Sequence, residues 1–181
     1  MPQPRKHYVL SIAIIGVLFF IFGFFTWLNS TLIPFFKLAC DLHSSAQAFL
    51  VPFAFYISYF VFAIPSSLVL KQTGFKKGMA LGVLVMGAGV VLFIPAALVR
   101  SFGFFLVDLF VVGMGLALAQ TACNPYISVV GPIESAARRI SIMGICNKAA
   151  GVLGAYVLSK ILLKGAAEVE RQIAVAAPGM R

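Results

Sequence analysis

The sequence predicts an all-α membrane protein of about five transmembrane helices, and three observations predict it. Of its 181 residues, 61% are hydrophobic and 10% charged, with a mean hydropathy of +1.03. Soluble domains hold roughly 45–50% apolar and about 25% charged residues. The apolar residues fall into runs near the roughly 20 residues that cross a hydrocarbon core. Between these runs lie short basic segments, as loop charges lie beside membrane spans. The net charge of +9 therefore does not point to nucleic acid, because the basic residues form no stripe on a soluble face.

The elements follow in order. Residues 1–7 carry Arg5 and Lys6. The first span, about 8–34, is rich in Phe and Ile and holds Gly16 and Gly23. Its apolar run exceeds the roughly 7–15 residues of a signal-peptide core, so it reads as a span and not as a leader. The second span is about 46–70, and Lys71, Lys76 and Lys77 follow it. The third, about 78–98, opens on Gly78 and Gly82. The fourth, about 102–130, is long enough to need tilt or an interfacial end. The fifth, about 140–163, pairs Ala150 with Gly154 and Gly151 with Ala155. Such small-residue spacings let helix backbones approach closely in lipid, which implies a packed bundle. Residues 165–181 form a short polar tail in which Val169, Ile173 and Ala177 suggest at most a short amphipathic helix. The basic loops place the N-terminus in the cytoplasm and the tail on the far side.

Chemistry must come from the polar residues inside these spans. The stretch from Gln120 to Lys148 runs polar, charged, polar between two apolar segments. Gln120 and Asn124 share a helix face. Pro125 has no N–H, which frees the carbonyl of Thr121. Asn147 and Lys148 lie in the fifth span, Asp108 in the fourth, and Trp27, Asn29 and Ser30 toward the outer end of the first. Such groups are tolerated where they face a bundle interior or a watery cavity. Amides offer donors and acceptors that suit hydroxyl-rich solutes, and an aromatic ring such as Trp27 suits their C–H face. For Gln120, Asn124 and Asn147, interhelical hydrogen bonding is an equal alternative. For Trp27 the alternative is an interfacial belt, and for Lys148 it is snorkelling to the inner interface. Asp108 fits snorkelling outward, or an ion pair with Lys148. His7 and His43 fall in loops. Cys40, Cys123 and Cys146 lack metal spacing, and no phosphate loop, nucleophile elbow or ligand cluster is present. The sequence predicts no enzyme, no cofactor and no metal.

The segments FFIFGFFTWLNSTLIPFFK, AFYISYFVFAIPSSLVLK, TGFKKGMALG, QTACNPY and GPIESAARRISIMGICNK resemble, in order and spacing, a known family. They look like the N-terminal half of a major facilitator superfamily sugar transporter. The branch is the fucose–galactose–glucose:proton symporters, and the glucose/galactose subgroup resembles the chain most. The likeness covers about residues 8–164. It implies a twelve-helix fold of two six-helix halves, of which this chain holds five helices of the first. Sugar would bind at mid-membrane between the halves, which rock to alternate access. Carried over by position, Asn147 matches an asparagine at the sugar site of the branch's L-fucose permease. Gln120 matches a glutamate of that permease and Ser30 an aspartate, both associated there with proton coupling. Neither can titrate here. If protons are coupled, Asp108 is the one intramembrane carboxyl of this half and so the ion-coupling candidate. Sodium coupling, facilitated diffusion or a site in the missing half are the open alternatives. Lys71 also stands where other branches of the superfamily have an aspartate.

The resulting expectation is an incomplete N-terminal part of a monosaccharide transporter in a bacterial-type inner membrane. Glucose or galactose is the expected substrate, with fucose next. Gln120, Asn124, Asn147 and Lys148 would line the cavity, with Trp27 and Asn29 near its outer side. The expected partners are the sugar, a coupling proton or sodium ion, the bilayer and a missing C-terminal half. The rival expectation is a truncated, non-transporting membrane protein or a subunit of a helical assembly.

Overall fold

A computed structural model describes residues 5–39, 45–99 and 101–176; side chains are described over 8–29 and, with few exceptions, over 47–161. Cys40 and His43 lie outside the described residues, as do the side chains of His7, Ser30 and Pro34. Four helices account for almost all of the described residues: α1 (Arg5–Ala39), α2 (Ser45–Val99), α3 (Phe102–Val129) and α4 (Ala136–Ala176). A single 3-10 turn, Ile133–Ser135, leads into α4. The segments Tyr8–Asn29, Phe49–Val99, Phe102–Val129 and Ile133–Ile161 are each long and apolar enough to cross a membrane.

Helix α2 cannot be one straight span. Its 55 residues would reach about 80 Å at 1.5 Å per residue, against roughly 30 Å of hydrocarbon. Gly74 breaks it, with φ 75° and ψ 170° inside the run. That backbone conformation is open to glycine and strained for any residue with a Cβ. The two arms, 45–73 and 75–99, both lie against the middle of α3. Gly113 meets Phe55 and Ser58 of the first arm, and Gly115 meets Gly82 and Met86 of the second. The arms therefore fold back beside each other, and Lys71, Lys76 and Lys77 stand exposed at the bend. The chain thus makes five rods, close to the spans expected from hydropathy.

Helix α3 is the axis of the packing. Leu116, Ala119, Ala122 and Cys123 are fully enclosed, and α3 joins Phe22 of α1 and Val51, Phe55 and Met86 of α2 in one core. Its middle turns, from Leu109 to Ala119, are apolar and mostly enclosed by neighbours, as befits a central helix. Partners are unevenly shared: α2 packs chiefly on α3, and α1 chiefly on α4. Two findings adjust the expected boundaries. Helix α4 runs unbroken to Ala176, so the residues expected as a separate tail continue the fifth helix. His7, expected in a loop, lies in the first turns of α1.

Candidate functional site

The α1–α4 contact is built on small residues. A Cβ at Gly23 would run into the backbone carbonyl of Asn147, so the two helices nearly touch there. The amide of Asn147 reaches the same contact from the side, with Nδ2 donating to the Phe19 carbonyl at 3.2 Å. One turn along α1, the Trp27 indole lies over Gly151 of α4. The Lys148 ammonium stands 4.7 Å from the centre of that ring, close enough for the quadrupole to attract it. Trp27 is 42% exposed and Lys148 is exposed as well. A partly exposed indole beside three ammonium donors can offer ring surface to the C–H face of a polyol while the ammonium hydrogen-bonds its hydroxyls.

A second polar pair lies elsewhere. Trp27 and Asn29 are two residues apart on α1, so they point to opposite sides of the helix. Asn29 turns inward to a cavity of about 420 Å³ that Asp108 of α3 also lines. Around them are Phe25, Phe55, Phe93 and Val112. Asn29 is 2% exposed and Asp108 1%. Both amide atoms of Asn29 and Oδ2 of Asp108 lack a hydrogen-bond partner. The Asp108–Lys148 ion pair considered from sequence does not form among the described residues, because Lys148 is held over Trp27 instead.

Gln120 and Asn124 stand apart from both pairs. On α3, Gln120 is half-buried and Asn124 exposed. No hydrogen bond among the described residues joins either to Trp27 or Lys148. Helix α3 continues through Pro125, and the Thr121 hydroxyl donates to the Ala117 carbonyl at 2.8 Å. Of the six residues expected to bind substrate, the structure brings Trp27, Asn147 and Lys148 to one helix contact. It puts Asn29 in the other cavity with Asp108.

Arg139 is the residue that the sequence reading missed. Its neighbour Arg138 is exposed, as a loop charge should be, but Arg139 is 4% exposed. Its Nε donates to the Ile127 carbonyl at 3.0 Å and Nη2 to the Ser128 carbonyl at 3.2 Å. Nη1 donates to the Pro132 carbonyl at 3.0 Å and to Ser135 Oγ at 2.6 Å. The last carbonyls of a helix have no partner within it, and a cation complements their partial negative charge. Arg139 thereby closes the C-terminal end of α3 and fixes the turn into α4. The only sequence signal was its nearness to Gly131-Pro132, and that marks a turn without saying which cation caps the helix.

These features sit in a chain with clear relatives. The Major Facilitator Superfamily model matches residues 15–166. A glucose/galactose transporter of Brucella abortus biovar 1 (strain 9-941) is 36% identical over 163 residues, covering 90% of this chain and 39% of that protein. The L-fucose-proton symporter of Escherichia coli (strain K12) is 32% identical over 158 residues, covering 87% of this chain and 36% of that one. Among solved structures, the E. coli fucose:proton symporter superposes with a TM-score of 0.73 at 30% identity, over 87% of this chain and 37% of that one. A crystal structure of the same transporter in the outward conformation also gives 0.73, at 32% identity. The chain thus spans under two-fifths of the length of the relatives it matches. With the family model covering most of the sequence and the bundle superposing on a solved member, this chain belongs to the Major Facilitator Superfamily.

Proposed function

We propose that this chain is the N-terminal part of a transporter that moves a monosaccharide, glucose or galactose first, across a bacterial inner membrane. The two halves of such a transporter alternate access to a site between them. The observation that carries the reading is the partly exposed Trp27–Lys148 pair on the α1–α4 contact, an aromatic ring with a cation beside it inside sequence long and apolar enough to span a membrane. The 36% identity to a glucose/galactose transporter supports the choice of sugar. Asn147 has one amide hydrogen bound to Phe19, which leaves its oxygen and second N–H for a hydroxyl. Gln120 and Asn124 would meet the sugar from α3. The N-terminus would face the cytoplasm, and transport would be coupled to a cation.

The test is uptake of labelled glucose, galactose and fucose by cells expressing the whole reading frame that contains this chain. Trp27→Ala and Lys148→Met are each expected to cut hexose uptake at least tenfold. Unchanged uptake in both variants would overturn the site.

A second reading has one specific observation in its favour. A groove of about 710 Å³ lies between α1 and the second arm of α2, lined mainly by apolar side chains such as Leu10, Ile14, Leu18, Met79 and Val83, with Ser11, Lys76 and Tyr126 among them. The groove is too small to enclose a helix about 10 Å across, but a neighbouring helix would pack one ridge of side chains into it, so the chain acting alone would be a subunit of a helical assembly. Native mass in mild detergent separates the readings: a discrete oligomer favours assembly, and a monomer removes it.

A further inference from the structure

We propose that Asp108 and Asn29 together form a proton-binding site in the cavity between α1 and α3, distinct from the Trp27–Lys148 face. The inference deepens the transport reading and rests on it for the site's purpose, but its test does not measure transport.

Three polar atoms share this cavity without a partner: Oδ2 of Asp108 and both amide atoms of Asn29. Each side chain is at least 98% enclosed. Buried polar atoms are almost always hydrogen-bonded, and a group of unpartnered ones on two helices is an exception that calls for a ligand. An intramembrane carboxyl is costly and marks an ion or proton pathway.

The walls decide which ligand fits. Apart from these two residues the cavity is lined by Phe, Leu, Ile and Val side chains. None of the other described titratable or charged groups on the packed helices lines it: not Tyr8 of α1, Tyr56 or Tyr59 of α2, Tyr126 of α3, nor Lys148 or Lys160 of α4. A sugar would leave most of its hydroxyls unmet. A hard metal cation requires a shell of oxygen ligands, and only two side chains here carry oxygen. A proton needs one carboxylate oxygen and one neighbour that suits both charge states. Asn29 lines the same cavity and has the chemistry for that role, with a donor N–H to suit a carboxylate and an acceptor oxygen to suit a carboxylic acid, neither of them engaged in the structure. In loading, a hydronium ion transfers its proton to Oδ2, an O–H bond forms there, and a water molecule is left. Release reverses the step, and no other bond changes.

The experiment uses the purified full chain in liposomes and dicyclohexylcarbodiimide, an apolar reagent that couples to protonated carboxyls in apolar surroundings. Peptide mass separates Asp108 from the other carboxyls, Asp41, Glu134, Glu168 and Glu170. Asp108 is expected to take the label, less so as pH rises, and Asp108→Asn is expected to lose it. Asn29→Leu is expected to keep the label with its pH profile displaced by about 1–2 units, as losing one hydrogen bond that forms only when the carboxyl is charged would imply. Absence of Asp108 label at every pH overturns the site, and an unmoved profile in Asn29→Leu overturns the role of the amide. Suppression of labelling by sodium at fixed pH overturns the proton in favour of a metal cation. If Asp108→Asn fails to fold, the wild-type and Asn29→Leu profiles decide. Loss of hexose uptake with labelling intact would remove the transport reading and leave the proton site standing.

Discussion

Gly23→Ala should push α1 off α4, and Gly16→Ala, two turns earlier on the same helix, should not. A Cβ at position 23 would lie 2.7 Å from the carbonyl carbon of Asn147 and 2.8 Å from its Cα, and closer still to the carbonyl oxygen. These are backbone atoms, so no rotamer change relieves the overlap and the helices must separate. At position 16 the nearest atom is the Met143 sulfur at 3.9 Å, an ordinary contact. Both substitutions gain the same helix propensity, about 0.8–1.0 kcal/mol for Gly to Ala. That gain cancels in the comparison, and the difference isolates the collision, about 1–3 kcal/mol for overpacking a close contact. The assay is unfolding in mixed micelles titrated with dodecyl sulfate. Trp27, the one tryptophan, reports it, because its ring packs on Gly151 across the same contact. Gly16→Ala should match or exceed the wild type, and Gly23→Ala should unfold earlier with altered Trp27 emission. Coincident curves for the two variants would refute the close approach, and with it the geometry that presents Trp27 and Lys148 together.

Three further perturbations probe other contacts. Asn147→Ala removes the bond to the Phe19 carbonyl and should cost about 0.6–1.7 kcal/mol in the same titration, the range for interhelical bonds in membranes. Arg139→Lys keeps the charge but loses the guanidinium fork that serves Ile127, Ser128, Pro132 and Ser135. It should destabilise by about 2–3 kcal/mol and speed proteolysis within 130–135, with exposed Arg138→Lys as the silent control. Lys148→Met removes the cation from the Trp27 face at a cost of about 0.5–1 kcal/mol. An unchanged Trp27 emission spectrum in that variant would refute the contact.

The spans were legible because hydropathy in lipid is a strong, one-dimensional signal. Lys71, Lys76 and Lys77 marked the bend of α2, although the helix resumes directly after Gly74. Helix ends were less legible. Hydropathy falls after residue 163, but Ala, Glu, Arg and Gln are good helix formers, so α4 continues to Ala176 after the apolar run has ended. Prolines misled little: α3 passes through Pro125 and α2 through Pro52, Pro65 and Pro95. Arg139 was illegible because it reaches back to Ile127, twelve residues earlier. That reach depends on how the chain turns at Gly131-Pro132, which composition does not encode.

The site was legible as a set of residues but not as a geometry. Sequence put Trp27 and Asn29 together because they are close in the chain. On a helix, two residues is about half a turn, so one lies over α4 and the other faces the cavity shared with α3. Two intramembrane asparagines that looked equivalent therefore differ. Asn147 has part of its hydrogen-bonding met by Phe19, which ties α4 to α1. Asn29 has neither amide atom met, beside a carboxyl in the same condition. An amide with one bond to a neighbouring helix is partly accounted for before any ligand arrives. An amide that is enclosed and unsatisfied is not, since hydrocarbon offers it nothing in exchange for the water it has lost. Partner state, which only the packed structure reveals, thus separates an asparagine already tied to a neighbouring helix from one enclosed with no partner at all.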